Sequence, residues 1–166
     1  MSEAIKTLLL FYFTFILWVL QINLQMDAEA HYKLKESLEI AAHDAALQDV
    51  EAELAEGRIV FNTSQALESF KDSLIYSLKL TDAGMALEPM TQSYFQDPIR
   101  IVFEHYIDDG NTISYPFLYE NPTYNIREVI RGPSVIFIVE TQTPRHFRGQ
   151  KKEIRKRVVY EYPQQG

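Results

Sequence analysis

The chain has 166 residues, 23% of them charged and 13% aromatic, which excludes a disordered polymer and is long enough for one domain with a core. A net charge of −7 argues against general nucleic-acid binding, and the absence of cysteine removes disulfides, thiolate metal sites and thiol nucleophiles together. No phosphate-cradling G-x-x-x-x-G-K-[ST] loop, G-x-G-x-x-G fingerprint, G-x-S-x-G elbow or H-E-x-x-H helix occurs, so the residues name neither an enzyme chemistry nor a cofactor.

The first element is Thr7–Leu24, an uncharged run built on Leu8, Leu9, Leu10, Phe11, Phe13, Phe15, Ile16, Leu17, Trp18, Val19 and Leu20. As a helix it rises about 27 Å, close to the roughly 30 Å hydrocarbon core of a bilayer. Gln21 and Asn23 fall where the helix should meet the headgroups, and Trp18 suits an interfacial belt. Three readings are open: a retained anchor with membrane lipid as partner, a signal peptide cleaved at the Ala28-Glu29-Ala30 pattern, or a buried helix of a soluble protein. The anchor is favoured because Glu3 offsets Lys6 in the leading flank and the apolar run is longer than a signal's apolar region. The charge bias of the two flanks places the N-terminus in the cytoplasm. The expected division is a tail and transmembrane helix over 1–26 and an extracytoplasmic α+β domain over 27–166.

Helical signal continues without Gly or Pro from Asp27 to Glu56. Leu34, Leu38, Ala41, Ala42, Ala45, Leu47, Val50 and Leu54 form an apolar stripe, of which Leu34, Leu38, Ala41, Ala45 and Leu54 are the expected packing residues. With Gly57 as C-cap, residues 7–56 read as one helix of about 75 Å. Its soluble half is acidic, and the ordinary meaning of those carboxylates is a solvated face. Asn62-Thr63-Ser64 then caps a second amphipathic helix over Gln65–Lys79, with Leu67, Phe70, Leu74, Ile75 and Leu78 on one side. Thr81–Gly84 closes it, and a loop containing Pro89 and Pro98 leads into strands.

Strand signal covers Ile99–Ile107, with Ile99, Ile101, Phe103 and His105 facing one way. A turn follows at Asp108–Asn111, and residues 112–125 read as an ordered loop or short edge strands. Asn125–Ile130 reads as another strand. Ser134–Thr141 is apolar nearly throughout and is expected at the centre of the sheet. Lys152–Tyr162 is the last strand, with Ile154, Val158 and Tyr160 inward if a bulge shifts its phase. The fold class is α+β: a long membrane-spanning and amphipathic helix, a short helix, and an antiparallel sheet of three to five strands that buries both helical stripes.

Three groups could carry function. Glu39 and His43, four apart on a helix, could ligate a metal with a third ligand, but surface or packing roles are the ordinary reading, and no metal is expected. The aromatics of Tyr115–Tyr119 and Tyr124 could form a recognition loop or cap the core. Arg145, Arg148, Lys151, Lys152, Arg155, Lys156 and Arg157 form a basic segment with His146 and Phe147 among them. It is compatible with nucleic acid, with anionic lipid, with the acidic helix of a neighbouring copy, or with a charged edge strand that resists aggregation. Self-association is the partner reading taken, because acidic residues crowd 27–56 and basic ones 145–157, so copies could pair head to tail.

The order of elements from Ala41-Ala42-His43-Asp44-Ala45-Ala46-Leu47-Gln48 through Gly57-Arg-Ile-Val-Phe-Asn to Ala66, Phe70, Leu74 and Leu80 resembles TadE-like bacterial envelope proteins. The apolar-then-amphipathic helix ahead of a sheet is similar to the pilin-like proteins of type IV and Tad pilus or secretion systems. That resemblance implies a non-enzymatic, single-pass subunit of an envelope assembly, partnered by its own copies or by pilin-like subunits. No processing site or helix-pairing glutamate carries over, since the first glycine is Gly57 and Glu3 precedes the apolar run. The alternative is a membrane-tethered binding module that uses the Tyr/Pro-rich loop.

Overall fold

A computed structural model describes residues 2–84, 86–111, 114–145 and 150–162. The fold is α+β, as expected. Helix α1 (Ser2–Ala46) is followed by the single turn α2 (Glu51–Leu54) and by α3 (Thr63–Leu78). The strands are β1 (Leu80–Asp82), β2 (Leu87–Pro89), β3 (Arg100–Ile107), β4 (Phe117–Asn121), β5 (Ile126–Ile130), β6 (Ser134–Gln142) and β7 (Glu153–Glu161).

The helix expected over 7–56 ends ten residues early. Its last turn gives way because the backbone of Gln48–Val50 bonds to a distant segment instead of to the preceding turn. Val50 N donates to the Val60 carbonyl (2.8 Å) and Asn62 N to that of Gln48 (2.9 Å). Gly57 caps α2 rather than a long helix: its N–H reaches the Leu54 carbonyl (2.9 Å) and its φ is +79°. A Cβ at this position would meet nothing within 4 Å, so Gly57→Ala tests the backbone alone. The expected loss is about 1–2 kcal/mol, read from thermal unfolding of the detergent-solubilised chain. An unchanged melting temperature would mean that the turn carries no strain.

Asn62 caps α3 as expected, accepting from Gln65 N (3.3 Å). The helix stops at Lys79, which takes the left-handed conformation and donates its N–H to the Ile75 carbonyl. What reads in the sequence as a loop is then a small hairpin, β1 paired antiparallel with β2.

β6 is the central strand of a three-stranded antiparallel sheet ordered β3-β6-β7. Its two faces are both buried, which explains its nearly continuous apolar run. Val135, Phe137 and Val139 pack with α1 and α3, the helical layer anchored by Leu34, Leu38, Phe70 and Leu74. Phe70 stacks on Phe137 at 3.8 Å between ring centroids. On the other face, Ile136 and Ile138 meet Ile107, Ile126 and Ile130, so the β4–β5 hairpin forms a third layer. The segment read as an ordered loop or edge strands supplies half of that hairpin.

The bulge lies in a different strand from the one expected. β7 pairs with β6 without interruption from Ser134↔Glu161 to Gln142↔Glu153, so Ile154, Val158 and Tyr160 share a face by simple alternation. The irregularity sits in β3, between Ile101 and Phe103. It turns Phe103 and His105 toward the hairpin, while Ile99 and Ile101 stay on the helical side. The expectation that these four share one face is therefore corrected.

Candidate functional site

α1 begins with a stretch long and apolar enough to cross a membrane, and none of the other described residues buries it. Leu8, Leu9, Leu10, Phe11, Phe13, Phe15, Ile16, Leu17, Trp18 and Leu20 are all exposed. The threonine hydroxyls inside the run are satisfied within the helix: Thr14 Oγ1 donates to the Leu10 carbonyl (2.9 Å) and Thr7 Oγ1 to that of Glu3 (3.0 Å). That arrangement leaves no side-chain donor of these threonines in need of water, as a hydrocarbon environment requires. Among the described residues this stretch is therefore not a core helix of its own domain.

The same helix enters the domain without a break. Leu34, Leu38, Ala41 and Ala45 are buried in the helix–sheet core. Leu54 is 42% exposed, because α1 has ended before it and α2 lies outside that core. It is not a packing residue of the long helix.

Where the apolar stretch meets the domain, side chains from distant loops converge on Met26 and Asp27 of α1. Tyr94 Oη donates to the Met26 carbonyl (3.0 Å), and Lys33 Nζ lies 5.3 Å from the centre of the Tyr94 ring. Asp27 accepts from Arg145 Nη1 through one carboxylate oxygen and from Lys152 Nζ (3.2 Å) through the other. The side chains of Asp27 and Arg145 are only 14% and 7% exposed. The Arg145 hydrogen bond holds the Asp27 carboxyl below its ordinary range, against burial, and Lys152 adds to the effect. Arg145 is in turn oriented by the loop before β3: its N–H donates to Gln96 Oε1, and Gln96 Nε2 donates back to its carbonyl, both at 3.2 Å. Lys151 bonds Asp97 (2.6 Å) in the same loop. Nearby, burial pushes the His31 imidazole down, and Lys156 and Lys152 do so further against the opposing pull of Asp27.

The basic segment is thus spoken for within the chain to a large extent. Arg155 pairs with Glu140 on β6, and Arg157 with Glu128 on β5 (3.4 Å). Arg145 is too buried to meet a partner. Arg148, with His146 and Phe147, lies outside the described residues.

The Glu39–His43 pair is not assembled into a site. His43 Nδ1 is 2.7 Å from Tyr160 Oη, and Glu39 lies 3.6 Å from Lys35 Nζ. No group of three metal-binding side chains forms among the described residues. In the 115–124 segment, Phe117, Tyr119 and Tyr124 pack against the hairpin-side core, and Tyr124 Oη donates to the Val102 carbonyl (2.9 Å). Tyr119 stacks on His105 at 5.1 Å, and burial lowers the His105 pKa.

Sequence reasoning missed the Asp27–Arg145 pair and the Tyr94 clasp. Their partners lie 118 and 68 residues apart, and no local pattern links them. The one signal available was a lone carboxylate at the end of an apolar run. No family model, curated protein or solved structure matches the chain.

Proposed function

We propose that the protein is a single-pass, membrane-anchored, non-enzymatic subunit of an envelope assembly of the pilus or secretion kind, with its N-terminus cytoplasmic and its α+β domain outside. One observation carries this reading: a single 45-residue helix supplies both the uncovered apolar stretch and a structural stave of the domain core. A domain joined to its anchor by a flexible linker would be free to reorient. Here the helix is continuous, so contacts between neighbouring apolar stretches would orient whole domains, as an assembly subunit requires.

Retention of the anchor has separate support. Cleavage after Ala30 would cut α1 at a fully buried residue and remove Met26 and Asp27, both of which the domain bonds. The alternative of a binding module working through residues 115–124 has less in its favour, since those aromatics are occupied in the core.

The chain contains no cysteine, so an introduced one reports cleanly. Leu34 and Leu38 are sealed inside the domain and cannot report contacts between copies. Exposed Leu17 and Tyr32 can. Full-length protein carrying Leu17→Cys or Tyr32→Cys is expected in the membrane fraction and should form disulfide-linked species on mild oxidation. Membrane-bound protein that stays monomeric at every exposed α1 position would overturn the assembly reading. Intact protein in the aqueous fraction would overturn the anchor itself.

A further inference from the structure

We propose that the membrane-facing end of the domain, built around Lys151 and Lys152 at the exit of α1, binds the headgroups of anionic phospholipids. This rests on the anchor reading above and adds a partner to it.

The placement follows from helix geometry. Asp27 lies three residues beyond Leu24, about 4.5 Å along the axis. The polar layer of a bilayer is roughly 5–7 Å deep on each side of the hydrocarbon. A helix that leaves the hydrocarbon near Leu24 therefore carries Asp27 through this layer, and Lys152, bonded to Asp27 at 3.2 Å, goes with it. Lys151 is fixed beside them through Asp97. Because α1 is continuous into the core, this end of the domain cannot swing away.

The charge balance at this end is opposite to that of the whole protein. Among the described residues, Lys33, Arg145, Lys151, Lys152 and Lys156 gather around this part of α1 against Asp27, Glu29, Asp97 and Glu153. The far end of the helical layer holds Asp44, Asp49, Glu51, Glu53 and Glu56, with Arg58 the cation paired to Glu53 and Glu56. The chain carries −7 overall, yet the helix exit holds a small excess of cations while the far end of the helical layer is acidic. A surface that only needed solubility has no reason to be sorted along the helix axis. An anionic bilayer attracts the basic end and repels the acidic one.

Lys152 has the capacity to make the contact. Its side chain is 66% exposed, and one bond to Asp27 leaves the remaining ammonium donors for phosphate oxygens. Arg145, nearly buried, holds Asp27 in place rather than touching lipid.

The test uses full-length protein in vesicles of phosphatidylcholine with 30 mol% phosphatidylglycerol, doped with headgroup-photoactivatable analogues of either lipid and, to report residues 7–24, with an acyl-chain-photoactivatable analogue. The phosphatidylglycerol probe is expected to label residues 150–157 about fivefold more than the phosphatidylcholine probe. Lys151→Gln with Lys152→Gln should erase that preference, while labelling of residues 7–24 is unchanged. Equal labelling of 150–157 by both probes in the unmodified protein, a result that needs no variant to fold, would overturn the proposal and leave the anchor standing. So would adducts from this segment to the acidic part of another copy's α1 in place of lipid. Absence of labelling over 7–24 as well would overturn the anchor reading, and this proposal with it.

Discussion

Replacing Asp27 by alanine is expected to lower the unfolding free energy of the full-length protein by about 3 kcal/mol. The carboxylate is the counter-charge of Arg145, which stays nearly buried when Asp27 is removed. An uncompensated buried guanidinium is costly, and its bonds to the Gln150 and Pro144 carbonyls do not neutralise it. The double change Asp27→Ala with Arg145→Met should cost less than the single one, because removing both charges leaves nothing unpaired. Equal losses would show that the pair is not the source of the effect. The pH dependence has a fixed sign. The carboxyl is held below its ordinary value of 3.8, so its contribution is fully present above that pH and is lost as pH falls through the folded-state value. Below about pH 4 the parent protein should therefore lose stability more steeply than Asp27→Ala, as measured by thermal unfolding in detergent across pH 2–6. Parallel acid limbs would sink the assignment.

Phe137→Ala should cost about 3–5 kcal/mol. Phe137 comes from the central strand, is fully buried, and stacks on Phe70 of α3 while its ring meets the edge of Tyr106 at 5.8 Å. Truncation leaves a cavity at the point where the helical layer meets the sheet, and the neighbouring rings cannot collapse into it without losing their own contacts. Leu118, on the outer side of β4 and 46% exposed, is the control, and Leu118→Ala should change stability by no more than about 0.5 kcal/mol. A Phe137→Ala loss as small as that of Leu118→Ala would contradict the position of β6 between two covering layers.

The elements with the longest and cleanest patterns were the most legible. The apolar run of α1, the stripe of α3 with its Asn62 cap, and the unbroken apolarity of β6 each declare themselves locally, because a helix or a doubly covered strand needs the same chemistry at every repeat. The misreadings share one cause. Leu47, Val50 and Leu54 continue the helical stripe, yet α1 stops at Ala46 because Val60 and Asn62 offer the backbone other partners. Ile99, Ile101, Phe103 and His105 alternate cleanly in sequence, yet a bulge sends the second pair to the other face. β1 and β2 are too short to show any period.

By itself, then, the sequence determined that a charge-free run able to span a bilayer precedes an acidic amphipathic helix and a β-rich half, since composition and periodicity are local properties. The tertiary structure decided where α1 ends, which strand carries the bulge, that a hairpin covers the second face of the sheet, and that the basic segment turns back onto Asp27. Those outcomes depend on which distant groups satisfy each backbone bond and each buried charge, and a linear pattern does not record that pairing.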